Sequence, residues 1–144
     1  MRYGGGDGAL SSSLRRGGDG RRKPETWAII AEPAIRHRIG GAESVRAQLE
    51  HLIGASNEPN VDVLVIPFTA GGHAALERGS FVLLHLNDIT VVYTEGTASN
   101  LFQDRPEDLE SYRRILDRLR ADALNPKQSR ELIRAAANDM RTDR

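Results

Sequence analysis

The sequence WAIIA at residues 27–31 is a short apolar run between Pro24 and Pro33, and such a run is typical of a β-strand. A second run, VDVLVI at residues 61–66, is rich in β-branched residues and is closed by a proline. Between the two runs, apolar residues recur at i, i+4, i+7 and i+8, which predicts an amphipathic helix with one buried face. These residues are Val45, Leu49, Leu52 and Ile53. The folded part of the chain therefore starts with a strand, a helix and a strand.

A hairpin is predicted next along the chain. Residues 81–86 and 90–93 have the composition of strands, and only a few residues separate them. The connection contains Asn87-Asp88, which suits a tight turn although the usual glycine is missing. We therefore expect these two strands to pair in an antiparallel manner.

Two helices are predicted in the C-terminal third. Pro106 suits the first turn of a helix, and an apolar stripe with a 3.6-residue period continues from there to Ala123. Residues 125–128, Asn-Pro-Lys-Gln, supply a capping side chain, a first-turn proline and a capping-box glutamine for a second helix. The predicted fold class is α+β: a small, mainly antiparallel sheet, with one helix after the first strand and two C-terminal helices packed on it.

The N-terminal residues have a different composition from the rest of the chain. Residues 1–24 are rich in glycine, serine and arginine and contain almost nothing apolar to bury. Such a segment is expected to be disordered. The sequence therefore predicts a disordered leader over residues 1–24 and one regulatory or interaction domain over residues 25–142.

Composition excludes several classes of function. Lys plus Arg and Asp plus Glu both number 20, so no net charge attracts nucleic acid or an anionic membrane. No apolar run is long enough for a membrane span or a signal peptide, so a cytoplasmic location is expected. Cysteine is absent, which removes thiol nucleophiles, disulfides and thiolate metal sites. The histidines lack the i, i+4 spacing of a helical zinc motif, so neither a metal nor a cofactor is predicted.

Candidate ligand or partner-binding residues lie in one loop and at two strand ends. Gly71, Gly72 and His73 follow a strand, where main-chain N–H groups beside an imidazole suit an anion. Glu32 ends the first predicted strand and Glu95 ends the last, so the carboxylates meet this loop if their strands are neighbours. In the simpler interpretation, the loop is only a turn and the carboxylates cap main chain or pair with arginines. We assign none of the five a catalytic role, and the chain is not expected to be an enzyme.

Several short stretches occur in an order that resembles a known family. They are residues 32–36 (EPAIR), 40–41, 46–52, 60–68, 70–73, Phe81, residues 92–95, Tyr112, Leu119, residues 123–124 and Ser129. The set is similar to the domain of unknown function that follows an XRE-type helix-turn-helix in actinobacterial, antitoxin-like transcription regulators. The resemblance covers residues 26–140, and it implies a regulatory domain that works with a small partner protein encoded nearby.

One departure from the family limits what the resemblance implies. The family carries a helix-turn-helix before this domain and this chain shows none, so direct DNA binding is not expected. Apolar surface left by missing helices would favour a homodimer or partner docking. Two alternatives stay open. The chain is a truncated competitor that pairs with full-length regulators, or it is a small-molecule sensor or weak enzyme that uses the Gly71-Gly72-His73 loop with Glu32 or Glu95.

Overall fold

The computed structural model describes residues 23–72 and 79–141, together with the main chain of residues 10–15. The strands in this part of the chain are β1 (Leu10–Arg15), β2 (Glu25–Ala31), β3 (Val61–Ile66), β4 (Phe81–Leu86), β5 (Ile89–Glu95) and β6 (Asn100–Gln103). The helices are α1 (Glu32–Arg36), α2 (Ala42–Ala55), α3 (Pro106–Asp122) and α4 (Pro126–Asp139), with a 3-10 turn at Phe68–Ala70. No helix within the described ranges is both long enough and apolar enough to cross a membrane.

The strands form one mixed sheet in the order β3-β2-β1-β4-β5-β6. The pairs β2–β3 and β1–β4 are parallel, and the other three pairs are antiparallel. The α+β class is confirmed, but the sheet is less antiparallel than predicted. The reason is that α1 and α2 carry the chain back across the sheet, so that β3 starts at the same end as β2.

Six residues of the segment predicted to be a disordered leader, residues 1–24, belong to a strand. Leu10–Arg15, with the sequence LSSSLR, forms β1 in the interior of the sheet, between β2 and β4. Its polar sequence lacks the apolar run by which a strand is usually predicted. The segment is a strand because its main chain pairs with β2 on one side and with β4 on the other. Residues 1–9 and 16–22 lie outside the described residues.

Two further elements differ from the prediction. The helix predicted after the first strand is present as α2, and α1 is a further, five-residue helix that was not predicted. Gly40 and Gly41, with φ angles of 85° and 96°, lie between the two helices. Strand β6 was not predicted, since it has only four residues and pairs with β5 on one side alone. The predicted β4–β5 hairpin is confirmed, and Asn87 takes the positive φ of 53° in its turn.

Each face of the sheet carries its own hydrophobic core. On the first face, α3 packs against the buried strand residues Ile29, Ile66, Phe81, Leu83 and Val92. On the second face, α1, α2 and α4 pack against Ile30, Val63 and Val65 of β2 and β3. The second core therefore covers one half of its face, and the β4–β5–β6 half of that face belongs to neither core.

The outer edge of β3 is closed by the connection between α3 and α4. The main-chain N–H of Val65 donates to Ser129 Oγ at 2.9 Å, and the Val65 carbonyl accepts from the Leu124 N–H at 2.9 Å. Ser129 is fully buried and sits in the first turn of α4. The predicted capping box holds this turn, because Asn125 accepts from the Gln128 N–H at 2.8 Å and Gln128 Oε1 accepts in return.

Replacing Ser129 with alanine is expected to lower the free energy of unfolding by about 2 kcal/mol, because the buried N–H of Val65 loses its acceptor. Urea denaturation followed by circular dichroism measures the change. The matched control is Ser44→Ala on the exposed face of α2, for which we expect a change within about 0.5 kcal/mol. Equal effects of the two substitutions would show that the Val65–Ser129 contact does not stabilise the fold.

Candidate functional site

Glu32 lies directly after β2 and is buried. Its Oε2 atom accepts the main-chain N–H of Phe68 at 2.9 Å, and Oε1 accepts Arg36 Nε and Nη2 at 3.2 and 3.1 Å. Arg36 also donates to Asp139 Oδ2 at 2.7 Å. The carboxylate therefore joins α1, the turn after β3 and the end of α4, as the simpler sequence interpretation predicted for an acid at a strand end.

The loop that follows β3 comes close to Glu32 through Phe68, not through its glycines. Gly71 has a φ of 73°, a conformation that glycine adopts without strain, and both Gly71 and Gly72 are exposed. His73 lies outside the described residues. The structure thus brings the start of the predicted loop to Glu32, but it does not describe the imidazole that the anion or catalytic hypothesis requires.

Glu95 does not share a site with Glu32. It ends β5, and β1 and β4 lie between β5 and β2 in the sheet. Three steps of about 4.8 Å place the two strand ends roughly 14 Å apart. The Glu95 side chain is exposed and accepts a hydrogen bond from the Tyr93 hydroxyl at 3.0 Å. The shared carboxylate site required neighbouring strands, and the sheet order does not meet this condition.

Metal binding finds no support in the described part of the chain. No three side chains among His, Asp and Glu there come close enough to hold a metal ion. His85 Nδ1 instead lies 2.9 Å from Thr90 Oγ1 across the β4–β5 pair. This histidine is therefore a hydrogen-bonded strand residue.

A cleft of about 420 Å³ opens on the first face, between the sheet and α3. Its lining residues are Glu25, Trp27, Leu83, His85, Arg113, Leu116, Asp117 and Arg120. The Arg120 guanidinium lies over the Trp27 ring, 3.5 Å from the ring centroid, a geometry in which the cation is attracted to the aromatic face. The cleft thus combines an aromatic ring with charged groups of both signs.

A second surface is the β4–β5–β6 half of the second face, which we call the open face. Alternation along the strands and the pairing register place seven apolar side chains on it. They are Val82, Leu84, Leu86, Ile89, Val91, Tyr93 and Phe102. The exposed fractions of Leu86, Ile89 and Phe102 are 46%, 62% and 66%. Large contiguous apolar surfaces of this kind mark sites where proteins bind one another.

Sequence reasoning missed both surfaces. Trp27 and Leu83 belong to apolar runs, which predict only buried strands. Arg113 and Arg120 fall on the face of the helix that the apolar pattern predicts to be exposed to solvent. The pattern does predict that Arg120 and Asp117 are neighbours on α3, and they form an ion pair at 3.8 Å. Their position opposite Trp27 depends on how the helix crosses the sheet, which no local pattern shows.

Comparison with models of protein families identifies a family for this chain. A family model described as "Domain of unknown function (DUF5753)" matches residues 12–135. Its first matched residue falls in β1, in agreement with a sheet that includes this strand. No match was found among curated proteins or among solved structures.

Glu32→Ala is expected to lower the free energy of unfolding by about 2 to 3 kcal/mol, because the Phe68 N–H and the Arg36 guanidinium both lose a charged acceptor. Thermal or urea denaturation measures the effect. Asp139→Asn tests the same network at its exposed end, where we expect a loss below about 1 kcal/mol. If Glu32→Ala leaves the stability unchanged, the carboxylate is not structural and is available for a ligand.

Proposed function

Because the chain belongs to the family described as domain of unknown function DUF5753, we propose that it is the partner-binding regulatory domain of an antitoxin-like transcription regulator of the XRE type. Its role is to bind a small protein encoded nearby, without catalysis and without reading DNA itself. The observation that carries this proposal is the open face, which exposes apolar side chains on three adjacent strands.

The open face has the build of a protein-binding surface. Its side chains form rows across the strands, with Val82 opposite Tyr93 and Tyr93 opposite Phe102. The rings of Tyr93 and Phe102 pack with centroids 5.0 Å apart, which presents a firm aromatic anchor. At β6 the sheet also ends in an edge strand, so a partner can reach both the face and the edge.

The charges around the open face favour a different protein over a second copy of this chain. Residues 80–103 contain only two residues that are charged at neutral pH, Asp88 and Glu95, and both are acidic. Asp88 lies in the β4–β5 turn and Glu95 at the opposite end of β5, so acids stand at both ends of the hairpin. Two copies packed face to face would bring like charges together. We therefore expect a partner whose apolar surface is bordered by Lys or Arg.

Light-scattering mass of the purified chain, alone and after co-expression with the small protein encoded beside its gene, tests the proposal. We expect a monomer alone and a stable complex after co-expression. A monomer that forms no complex with this protein would contradict the proposal. A homodimer that dissociates on substitution of the open face would contradict it too, because the face would then serve self-association.

Ile89→Asp is expected to weaken partner binding at least about tenfold, because it replaces an exposed apolar side chain of the open face with a charge that has to lose its water on binding. Ile39→Asp is the matched control, since Ile39 is 63% exposed against 62% for Ile89 but lies between α1 and α2. Calorimetric titration of both variants gives the two affinities. If Ile39→Asp weakens binding as much as Ile89→Asp, the partner does not bind at the open face.

A further inference from the structure

Strand β6 forms one edge of the sheet, and its sequence lacks the residues that usually protect an edge strand. The four residues, NLFQ, include no charge and no proline, and their pairing with β5 is regular, without a bulge. Leu101 and Phe102 are 50% and 66% exposed. At the opposite edge, Ser129 and Leu124 bond the outward groups of Val65. Within the described ranges, no hydrogen bond joins β6 to any element other than β5.

The pairing register shows which main-chain groups of β6 face away from β5. The N–H of Gly96 donates to the Ser99 carbonyl at 3.0 Å, and these two residues continue the register of the β5–β6 ladder. Hydrogen-bonded and non-hydrogen-bonded pairs alternate along an antiparallel ladder, so every second residue after Ser99 bonds to β5. The residues between them, Asn100 and Phe102, therefore direct their N–H and C=O groups outward.

The outward groups of Phe102 lie next to the open face. Phe102 is paired with Tyr93, and the two rings pack against each other on that face. A strand added along β6 would place every second side chain beside the Phe102 ring and would extend the open face by one row. One bound segment can thus make main-chain hydrogen bonds to the edge and apolar contacts with the face.

Acidic residues flank both ends of β6. At one end, Glu95 is paired with Asn100, and residues 80–103 contain no Lys or Arg. At the other end, residues 104–108 contain three acids and one arginine, a net charge of −2. A strand with Lys or Arg at each end complements these charges. Antiparallel pairing of β6 with β6 of a second copy would instead set the Asp104 end of one copy beside the Glu95 end of the other.

We propose that the partner protein binds by adding a strand of its own to β6. This strand directs apolar side chains to the open face and carries Lys or Arg at each end, and its main chain bonds to Asn100 and Phe102. This mode of binding rests on the proposed function, since it takes the same partner and the same side of the sheet.

Amide hydrogen exchange tests the pairing residue by residue. It is measured by NMR for the chain alone and for its complex with the small protein encoded beside its gene. In the chain alone, we expect fast exchange at Asn100 and Phe102 and slow exchange at Leu101 and Gln103, whose amides bond to β5. In the complex, we expect exchange at Asn100 and Phe102 to become at least about tenfold slower.

A proline substitution tests the same hydrogen bonds through the affinity. Asn100→Pro removes one outward N–H, and it leaves the β5–β6 ladder intact because this N–H does not bond to β5. We expect it to weaken partner binding at least about tenfold, since a carbonyl of the added strand loses its donor. Asn100→Ala is the matched control, because it removes the same side chain and keeps the N–H. Calorimetric titration should give an affinity within about twofold of that of the unmodified chain.

The outcomes separate strand addition from partner binding in general. If the Asn100 and Phe102 amides still exchange fast in a complex that Ile89→Asp weakens, strand addition is wrong and binding at the open face stands. Slow exchange of both amides in the chain alone would mean that the edge is already occupied, which overturns the proposal. Equal effects of Asn100→Pro and Asn100→Ala overturn it as well. The absence of any complex overturns the proposed function and strand addition together.

Discussion

The main chain of Val65 directs its N–H and C=O groups away from the sheet, and both are bonded to the segment that joins α3 to α4. An edge strand whose outward groups are unpaired invites another strand to bind. Here Ser129 and Leu124 occupy the place of that strand. The same contact holds α4 against β3, so that Ile133 and Ala136 complete the second core. One edge of the sheet and half of one face are closed by a single pair of hydrogen bonds and the helix behind them.

The other half of the second face, formed by β4, β5 and β6, contributes no residue to the second core. Strands β4 and β5 pack on α3 through Leu83 and Val92, which are buried in the first core, and β6 pairs with β5. Their opposite side chains, from Val82 to Phe102, have no described helix above them. Apolar surface left in water forgoes stabilisation that burial would supply, at about 25 cal/mol per Å². A bound protein would supply that burial, which is the physical reason for proposing a partner on the open face.

Local patterns predicted the elements whose cause is local. The capping box at Asn125 and the turn at Asn87 each depend on a few neighbouring residues, and both are present. The parallel pairs and β1 have causes that are distant in sequence. The LSSSLR segment becomes a strand because β2 and β4 flank it, and neither partner is visible from the segment. The parallel pairing of β2 with β3 and of β1 with β4 was not predicted for the same reason.

The same distinction between local and distant causes applies to the candidate sites. That Glu32 would pair with an arginine was foreseeable from Arg36 four residues later, whereas its bond to Phe68 needed β3 to lie beside β2. The two surfaces were not predicted because a strand with apolar residues on both faces has one continuous apolar run in its sequence. In β4 the run conceals an alternation, in which Leu83 faces the cleft and its neighbours face the open side. A substitution in the middle of β4 therefore disturbs both surfaces, whereas one at Ile89, whose side chain lies on the open face, leaves the lining of the cleft unchanged.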